Sequence, residues 1–158
     1  MDKQDFSKEL VETANRICTP GKGILAADES PASVEKKFKP LGLENNAENR
    51  RRYREMLLMS EGIENYISGV IFQEETAKQS NSNGVLFVEV VRSKGIVPGI
   101  KVDKGLSVLN NAQKENYTKG LDALPAMAQE FYKLGCRFAK WRAVLKIGNG
   151  CPTEQAIQ

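Results

Sequence analysis

The chain has 158 residues, of which 41% are hydrophobic and 27% charged, close to the averages of globular proteins. Its 23 Lys and Arg residues exceed its 20 Asp and Glu residues by too little to indicate a nucleic-acid or anionic-lipid partner. The first residues are polar and no apolar run approaches about 18 residues, so we expect neither a leader peptide nor a membrane span, and predict a cytoplasmic protein.

The cysteine and histidine content argues against a disulfide-stabilised or zinc-binding protein. The three cysteines form no CxxC pair, and the chain has no histidine. A disulfide framework and a zinc site are therefore not expected, and a metal ion would have to be held by carboxylates alone. Neither a linker nor a low-complexity tract interrupts residues 1–158, which predicts a single domain without an internal boundary.

The first third of the chain predicts a helix, a strand and a connector. Residues 23–28 are a short apolar run opened by glycines and closed by acids, which is typical of a buried strand. Residues 36–46 are interpreted as a polar connector. A first helix is predicted over residues 5–18, before Pro20-Gly21, from the helical spacing of Phe6, Leu10, Ala14 and Ile17.

A second helix is expected over residues 47–60. Asn45 stands three residues before Glu48, an arrangement that resembles a capping box at a helix start. Arginine and glutamate residues are expected on one face of this helix. The opposite, apolar face is predicted to consist of Tyr53, Met56 and Leu57.

The second half continues the alternation of strands and helices. Residues 85–95 leave helix and strand open, because their β-branched content favours a strand while their position between two strands favours a helix. The other predicted elements are a strand at 67–72, a turn at 80–84, a strand at 96–105, a polar loop at 110–119, a helix at 121–134 closed by Gly135, a strand at 136–147, and a final loop that enters a helix at Pro152-Thr153.

This order of elements predicts an α/β protein with a parallel sheet. Four strands are few for a closed structure, since an eight-stranded (β/α)8 barrel needs about 250 residues. From the residues alone, the chain is either a small open sheet or the first half of a barrel.

Ionisable residues stand at the carboxyl ends of three predicted strands. They are Asp28 at the end of the first strand, Lys101 on the third, and Lys140 with Arg142 on the fourth. Catalytic and ligand residues of parallel α/β folds occupy this end of the strands. One rim carrying all four would form an electropositive pocket with one carboxylate, suited to phosphorylated or polyhydroxy substrates.

Other polar residues have simpler interpretations. Ser30 and Ser33 either cap the helix that follows the first strand or bind phosphate, and capping is favoured. Asp103 and Lys104 are interpreted either as a structural pair or as solvated residues. A solvated helix face is expected for the basic cluster of Arg50, Arg51, Arg52 and Arg54.

Four segments resemble the corresponding segments of the class I fructose-1,6-bisphosphate aldolases, in the order and approximate spacing of that family. They are GKGILAADES (21–30), LENN-x-ENRRRYR (43–54), GIKVDKG (99–105) and FAKWRAVLKIG (138–148). The resemblance implies a TIM (β/α)8 barrel of which this chain supplies the first half, about four strand–helix units. It also implies the reversible cleavage of fructose 1,6-bisphosphate to dihydroxyacetone phosphate and glyceraldehyde 3-phosphate through a lysine imine, with neither metal nor cofactor.

The same resemblance assigns roles residue by residue. Asp28 matches an aspartate that assists proton transfers, and Lys140 matches a lysine that stabilises developing negative charge. Lys37 stands where the family often has arginine, and Gln73 where a histidine is common. The residues matched to substrate or phosphate binding are Lys101, Arg142, Ser30, Ser33, Lys37 and Arg50.

The family's Schiff-base lysine, its glutamate acid/base and its second phosphate site belong to strands five to eight, beyond the matched segments. Two hypotheses follow. The chain is an inactive part of an aldolase whose full-length form is a homotetramer, or it is a short natural product acting as a sugar-phosphate-binding or self-assembling half barrel. A half barrel would leave its first and fourth strands as open edges.

Overall fold

A computed structural model describes residues 5–112 and 114–158. Within these ranges, no helix is both long enough and apolar enough to cross a membrane. The elements in chain order are α1 Ser7–Ile17, β1 Gly23–Ala27, α2 Pro31–Phe38, α3 Ala47–Leu58, β2 Ile67–Phe72, α4 Glu74–Ala77, α5 Phe87–Ser93, β3 Val97–Lys101, β4 Leu106–Asn110, β5 Glu115–Thr118, α6 Leu124–Leu134, β6 Phe138–Lys140 and α7 Glu154–Ile157.

Four parallel strands form the main sheet in the order β1-β2-β3-β6. Each strand is separated from the next one in the sheet by at least one helix, which confirms the predicted α/β architecture with a parallel sheet. β1 and β6 are the two edge strands of this sheet in the part of the chain that the structure describes, as expected.

One face of the sheet is covered by helices and holds the hydrophobic core. This face is built from alternate strand residues, because successive side chains of a strand point to opposite faces. The buried cluster joins strand residues Ala27, Val70, Phe72 and Ile100 to helix residues Phe87, Val88, Val91, Met127 and Phe131.

The opposite face of the sheet is more open. Ile24 is 45% exposed there, and Ala26 is exposed as well. Lys101 and Lys140 are register partners on β3 and β6, so both extend this face at the carboxyl end of the sheet. These two lysine side chains therefore lie on the open face of the sheet and not in the hydrophobic core.

Helix α1 lies at the amino ends of the strands. The main-chain oxygen of Ile17 accepts a hydrogen bond of 2.7 Å from the hydroxyl of Ser68, in β2. Glu9 accepts a hydrogen bond of 2.7 Å from the Tyr132 hydroxyl and forms an ion pair of 2.8 Å with Arg137, just before β6. These contacts leave the carboxyl ends of the strands free of α1.

Several expectations for residues 31–60 need correction. Helix α2 takes up the first part of the predicted connector, starting at Pro31 with Ser30 as its cap. The residue capping α3 is Asn46 rather than Asn45, because Asn46 Oδ1 accepts the Asn49 N–H at 2.8 Å. The buried residues of α3 are Arg54 and Leu58, so the predicted face is wrong, and the predicted solvated cluster of arginines contains a buried member.

In the second half, the structure resolves one open alternative and differs from the prediction at two other places. The open choice at residues 85–95 resolves as helix α5, whose Phe87 and Val88 pack in the core. The predicted polar loop at 110–119 belongs largely to a hairpin, in which β4 pairs antiparallel with β5. The third and fourth predicted strands are shorter than expected, since β3 ends at Lys101 and β6 at Lys140.

Glu55 supplies a prediction about acid stability. Its carboxylate accepts the Ser82 N–H at 2.6 Å and a hydrogen bond of 2.7 Å from Arg51, joining α3 to the turn at 80–84. These bonds, the Ser82 bonds first, lower the pKa of Glu55 to about 2 from its ordinary 4.5. A lowered pKa contributes stability that is complete above pH 4.5 and is lost as the pH falls toward 2.

Glu55→Gln is therefore expected to flatten the acid branch of the stability curve. The measurement is the urea unfolding midpoint between pH 7 and pH 2, compared with the unsubstituted chain. An unchanged dependence below pH 4.5 would show that the bonds from Ser82 and Arg51 do not stabilise the folded state.

Candidate active site

A cleft of about 440 Å³ opens at the carboxyl ends of β1, β3 and β6. It therefore lies at the end of the sheet where parallel α/β proteins place their ligands. The cleft brings together Asp28, Ser30, Ser33, Lys101, Lys140 and Arg142, all named from the sequence, with Glu29, Lys104 and Gly105.

Asp28 and Lys140 form the central pair of the cleft. Lys140 Nζ donates to Asp28 Oδ2 at 2.7 Å, and the aspartate side chain is 8% exposed. The pair spans the sheet from one edge strand to the other. Three spacings of about 4.8 Å would separate these strands in a flat sheet, so the contact indicates that the sheet curves toward its open face. A carboxylate and an ammonium are thus in direct contact at the centre of the cleft.

Lys101 is held by Asp103 rather than standing free. Its Nζ lies 2.8 Å from Asp103 Oδ1 and 2.9 Å from the main-chain oxygen of the same residue. Burial acts to raise the pKa of Asp103, but hydrogen bonds from Lys101 and Gly105 more than offset this, so its pKa lies below the usual range. Asp103 and Lys104 do not form a structural pair, because Lys104 instead reaches Glu74 at 3.0 Å. The alternative that both are solvated holds for the exposed Lys104 but is wrong for the buried Asp103.

Ser30 and Ser33 lie at the start of α2. Ser30 Oγ accepts the Ser33 N–H at 3.3 Å, which confirms the capping interpretation, and the two hydroxyl oxygens are 3.0 Å apart. Both residues also line the cleft. The capping role and a ligand role are therefore compatible at this helix start.

Glu29 links the cleft to α2 and α3. It forms ion pairs with Lys37 and with the buried Arg54, whose Nη1 lies 2.5 Å away. Partial burial acts to raise the pKa of Glu29, but the hydrogen bonds from Lys37 and Arg54 outweigh it and the pKa is lowered. Lys37 also donates to the Tyr53 hydroxyl at 2.9 Å. It does not line the cleft, but it contacts Glu29, which does.

Arg50 lies outside the cleft lining and belongs to a separate network. It makes a two-bond contact with Glu75, at 2.8 and 2.7 Å, and donates to the main-chain and side-chain oxygens of Asn45 at 3.0 Å. Gln73, which stands where a histidine is common in the family that the chain resembles, caps α4 by accepting the Glu75 N–H at 2.6 Å.

The cleft residues that sequence reasoning missed lie off the strand faces. Glu29 follows Asp28 directly and points toward α3, and Lys104 and Gly105 belong to the loop after β3. Alternation along strands could not have identified them. Arg142 also lies beyond its strand, where Thr118 of β5 donates a hydrogen bond of 2.6 Å to its main-chain oxygen.

The fold and the cleft define an α/β protein with a charged cleft at the carboxyl ends of parallel strands. More narrowly, the chain belongs to the class I fructose-bisphosphate aldolase family, because residues 9–158 match the family model described as fructose-bisphosphate aldolase class-I. Among the described residues, no group of three or more acidic or cysteine side chains is arranged to hold a metal ion.

Individual relatives show how much of such a protein is present. "Fructose-bisphosphate aldolase 5, cytosolic" of Arabidopsis thaliana is 51% identical over 97% of this chain and 43% of its own length. Fructose-bisphosphate aldolase 1 of Toxoplasma gondii is 48% identical over 98% of this chain and 43% of its own length. A Plasmodium falciparum aldolase structure, solved with TRAP and an inhibitor, matches at 45% identity and a TM-score of 0.91, covering 98% of this chain and 45% of that one. The chain thus spans less than half the length of these relatives.

Proposed function

We propose that the chain is the first half of a class I aldolase barrel, and that it binds sugar phosphates without completing the covalent chemistry. The observation that carries this proposal is the cleft in which Asp28, Lys101, Lys140 and Arg142 converge. In the complete enzyme, the reaction would be the reversible cleavage of fructose 1,6-bisphosphate to dihydroxyacetone phosphate and glyceraldehyde 3-phosphate. The chain would form one domain, with no boundary inside residues 1–158.

The curvature of the sheet supports the half barrel. The contact between Asp28 and Lys140 draws the two edge strands toward each other on the open face. In a barrel that face becomes the interior, and residues at the carboxyl ends of the strands form the site. Further strands beside β1 and β6 would cover both free edges and enclose the cleft.

The contacts within the cleft suit the proposed roles. Asp28 would transfer protons and Lys140 would stabilise the negative charge that develops as the carbon–carbon bond breaks. Lys101, Arg142, Ser30 and Ser33 offer N–H and O–H donors to phosphate oxygens. Lys37 would join them by leaving Glu29, which keeps its second partner Arg54. Arg50 would act at a distance, through the network with Glu75.

The lysine that forms the imine is proposed to lie outside this chain. Each of the two cleft lysines at strand ends already serves a carboxylate, Asp28 or Asp103. The cytosolic designation of the Arabidopsis relative supports a cytoplasmic location. We further propose a homotetramer for the full-length form, sugar phosphates as its ligands, and no cofactor, nucleic-acid partner or membrane association.

The proposal predicts binding without imine formation. Calorimetry is expected to detect fructose 1,6-bisphosphate binding to the 158-residue chain. Lys140→Met or Lys101→Met should weaken it roughly tenfold, the effect of losing one charge-assisted hydrogen bond. Borohydride reduction in the presence of dihydroxyacetone phosphate should leave no stoichiometric adduct, whereas a full-length class I aldolase treated in parallel should be labelled.

Lys8→Met is the matched control for the binding measurement. Lys8 is 91% exposed on α1, at the opposite end of the strands from the cleft, so its loss removes one positive charge without touching the site. If all three substitutions weaken binding equally, the affinity depends on the overall charge of the chain and not on the cleft. A stoichiometric adduct on the chain itself would contradict the proposed absence of the imine lysine.

A further inference from the structure

Asp103 is the most enclosed carboxylate at the carboxyl ends of the strands. Its side chain is 0% exposed, although Lys101, which it contacts, lines the cleft. The sequence and the family resemblance gave Asp103 no functional role. The geometry around it nevertheless constrains how Lys101 can meet a ligand.

Asp103 engages two of the three N–H donors of the Lys101 ammonium. A lysine ammonium carries three N–H groups and accepts nothing. Two acceptors of the same residue, Oδ1 at 2.8 Å and the main-chain oxygen at 2.9 Å, engage Lys101 Nζ. The remaining N–H is the one available to the cleft, where the lysine side chain is 25% exposed.

Asp103 is itself fixed by its own loop. Oδ1 also accepts the Gly105 N–H at 3.1 Å, which ties the carboxylate to the turn after β3. Oδ2 is buried and accepts no hydrogen bond within the described ranges 5–112 and 114–158. The hydrogen bonds that the carboxylate accepts are therefore concentrated on Oδ1, the oxygen that holds Lys101.

We propose that Asp103 is a positioning residue that fixes the Lys101 ammonium and leaves one N–H directed at an oxyanion of a phosphorylated ligand. This inference rests on the proposed function, because it assumes that Lys101 contacts the ligand. A long lysine side chain without such an anchor would lose rotamer freedom on binding. An anchored ammonium has already lost that freedom before the ligand arrives.

Removing the Asp103 carboxylate distinguishes a positioning role from simple electrostatics, because the two predict opposite changes in phosphate affinity. Asp103→Asn deletes a negative charge beside the cleft, which by charge alone should strengthen the binding of an anion. Loss of the anchor should weaken it instead. We expect the dissociation constant for inorganic phosphate, measured by calorimetry, to rise roughly fivefold, since one charge-assisted hydrogen bond is misdirected.

Glu74→Gln is the matched control. It also removes a carboxylate from a cleft lysine, but the Glu74 pair with Lys104 is exposed, with both side chains at least 40% accessible. We expect phosphate binding to be unchanged or stronger in this variant. If Asp103→Asn binds phosphate as tightly as Glu74→Gln does, Asp103 does not position Lys101.

Two further measurements keep the outcomes distinct. In the unsubstituted chain, 15N relaxation should show that the Lys101 ammonium is restricted, whereas that of Lys8 is mobile. Equal mobility of the two would overturn the proposal even if Asp103→Asn does not fold.

Lys101→Met tests the proposed function separately. If it leaves phosphate binding unchanged, Lys101 is no ligand contact. If it weakens binding while Asp103→Asn does not, only the positioning role is lost.

Discussion

Replacing Arg54 with methionine is expected to lower the free energy of unfolding by about 3 kcal/mol. Arg54 is 2% exposed and donates to Glu29 twice, from Nη1 to the carboxylate at 2.5 Å and from Nη2 to the main-chain oxygen at 3.1 Å. Its guanidinium also lies 5.0 Å from the centre of the Tyr53 ring. Methionine keeps most of the volume but leaves both Glu29 acceptors without this donor.

Urea denaturation followed by circular dichroism measures the effect. Arg52→Met is the matched control, because Arg52 lies on the same helix but is exposed, and its loss should cost less than about 0.5 kcal/mol. Adding Glu29→Gln to Arg54→Met should recover part of the loss, since both charges of the pair are then removed. If Arg54→Met costs no more than Arg52→Met, the Glu29 contacts do not stabilise the fold.

The order of the strands could be predicted from local patterns because each strand lies in a short apolar run, although the ends of the third and fourth strands were not visible in those patterns. The apolar run at residues 67–72 was enough to predict the second strand, and β2 Ile67–Phe72 has the predicted bounds. The alternation of side chains also sufficed to put Lys101 and Lys140 on one face, and they are register partners. Chain order then completed the parallel arrangement, since strands separated by helices pair in parallel.

What the sequence could not give depends on contacts between distant segments. The arginine of α3 that turns inward is set by the loop after β1, because Glu29 stands 25 residues before Arg54. The hairpin of β4 and β5 offered only a weak local signal, because the apolar alternation of β4 is three residues long, Leu106 to Val108, and β5 is mainly polar.

The partner of Asp103 is different, because the sequence did hold the signal. Residues two apart on an extended segment share a face, and this relates Asp103 to Lys101 rather than to its neighbour Lys104. Cleft residues on loops had no such pattern. Glu29, Lys104 and Gly105 could be found only once the ends of the strands were placed together.

Replacing Gly99 with alanine is expected to destabilise the chain by about 1–3 kcal/mol, the range for overpacking. Gly99 and Phe138 are register partners on β3 and β6, and the aromatic ring lies over the glycine. A Cβ atom at Gly99 would stand 2.5 Å from Cε2 and 2.6 Å from Cε1 of that ring, closer than carbon atoms can approach. The ring would have to leave the open face of the sheet, so the cost is the packing that Phe138 gives up.

A double-mutant cycle with Phe138→Ala isolates this clash. If the ring is the obstacle, Gly99→Ala should cost almost nothing once Phe138 is alanine, and the coupling should match most of the single-mutant loss. Gly23→Ala serves as control, since Gly23 also belongs to a strand and has no positive φ, but its Cβ would meet nothing within 4 Å. Equal effects at both glycines would mean that lost backbone freedom, rather than Phe138, determines the result. Because Lys140 follows Phe138 by two residues on β6, the displaced ring should also weaken phosphate binding in Gly99→Ala but leave it intact in Gly23→Ala.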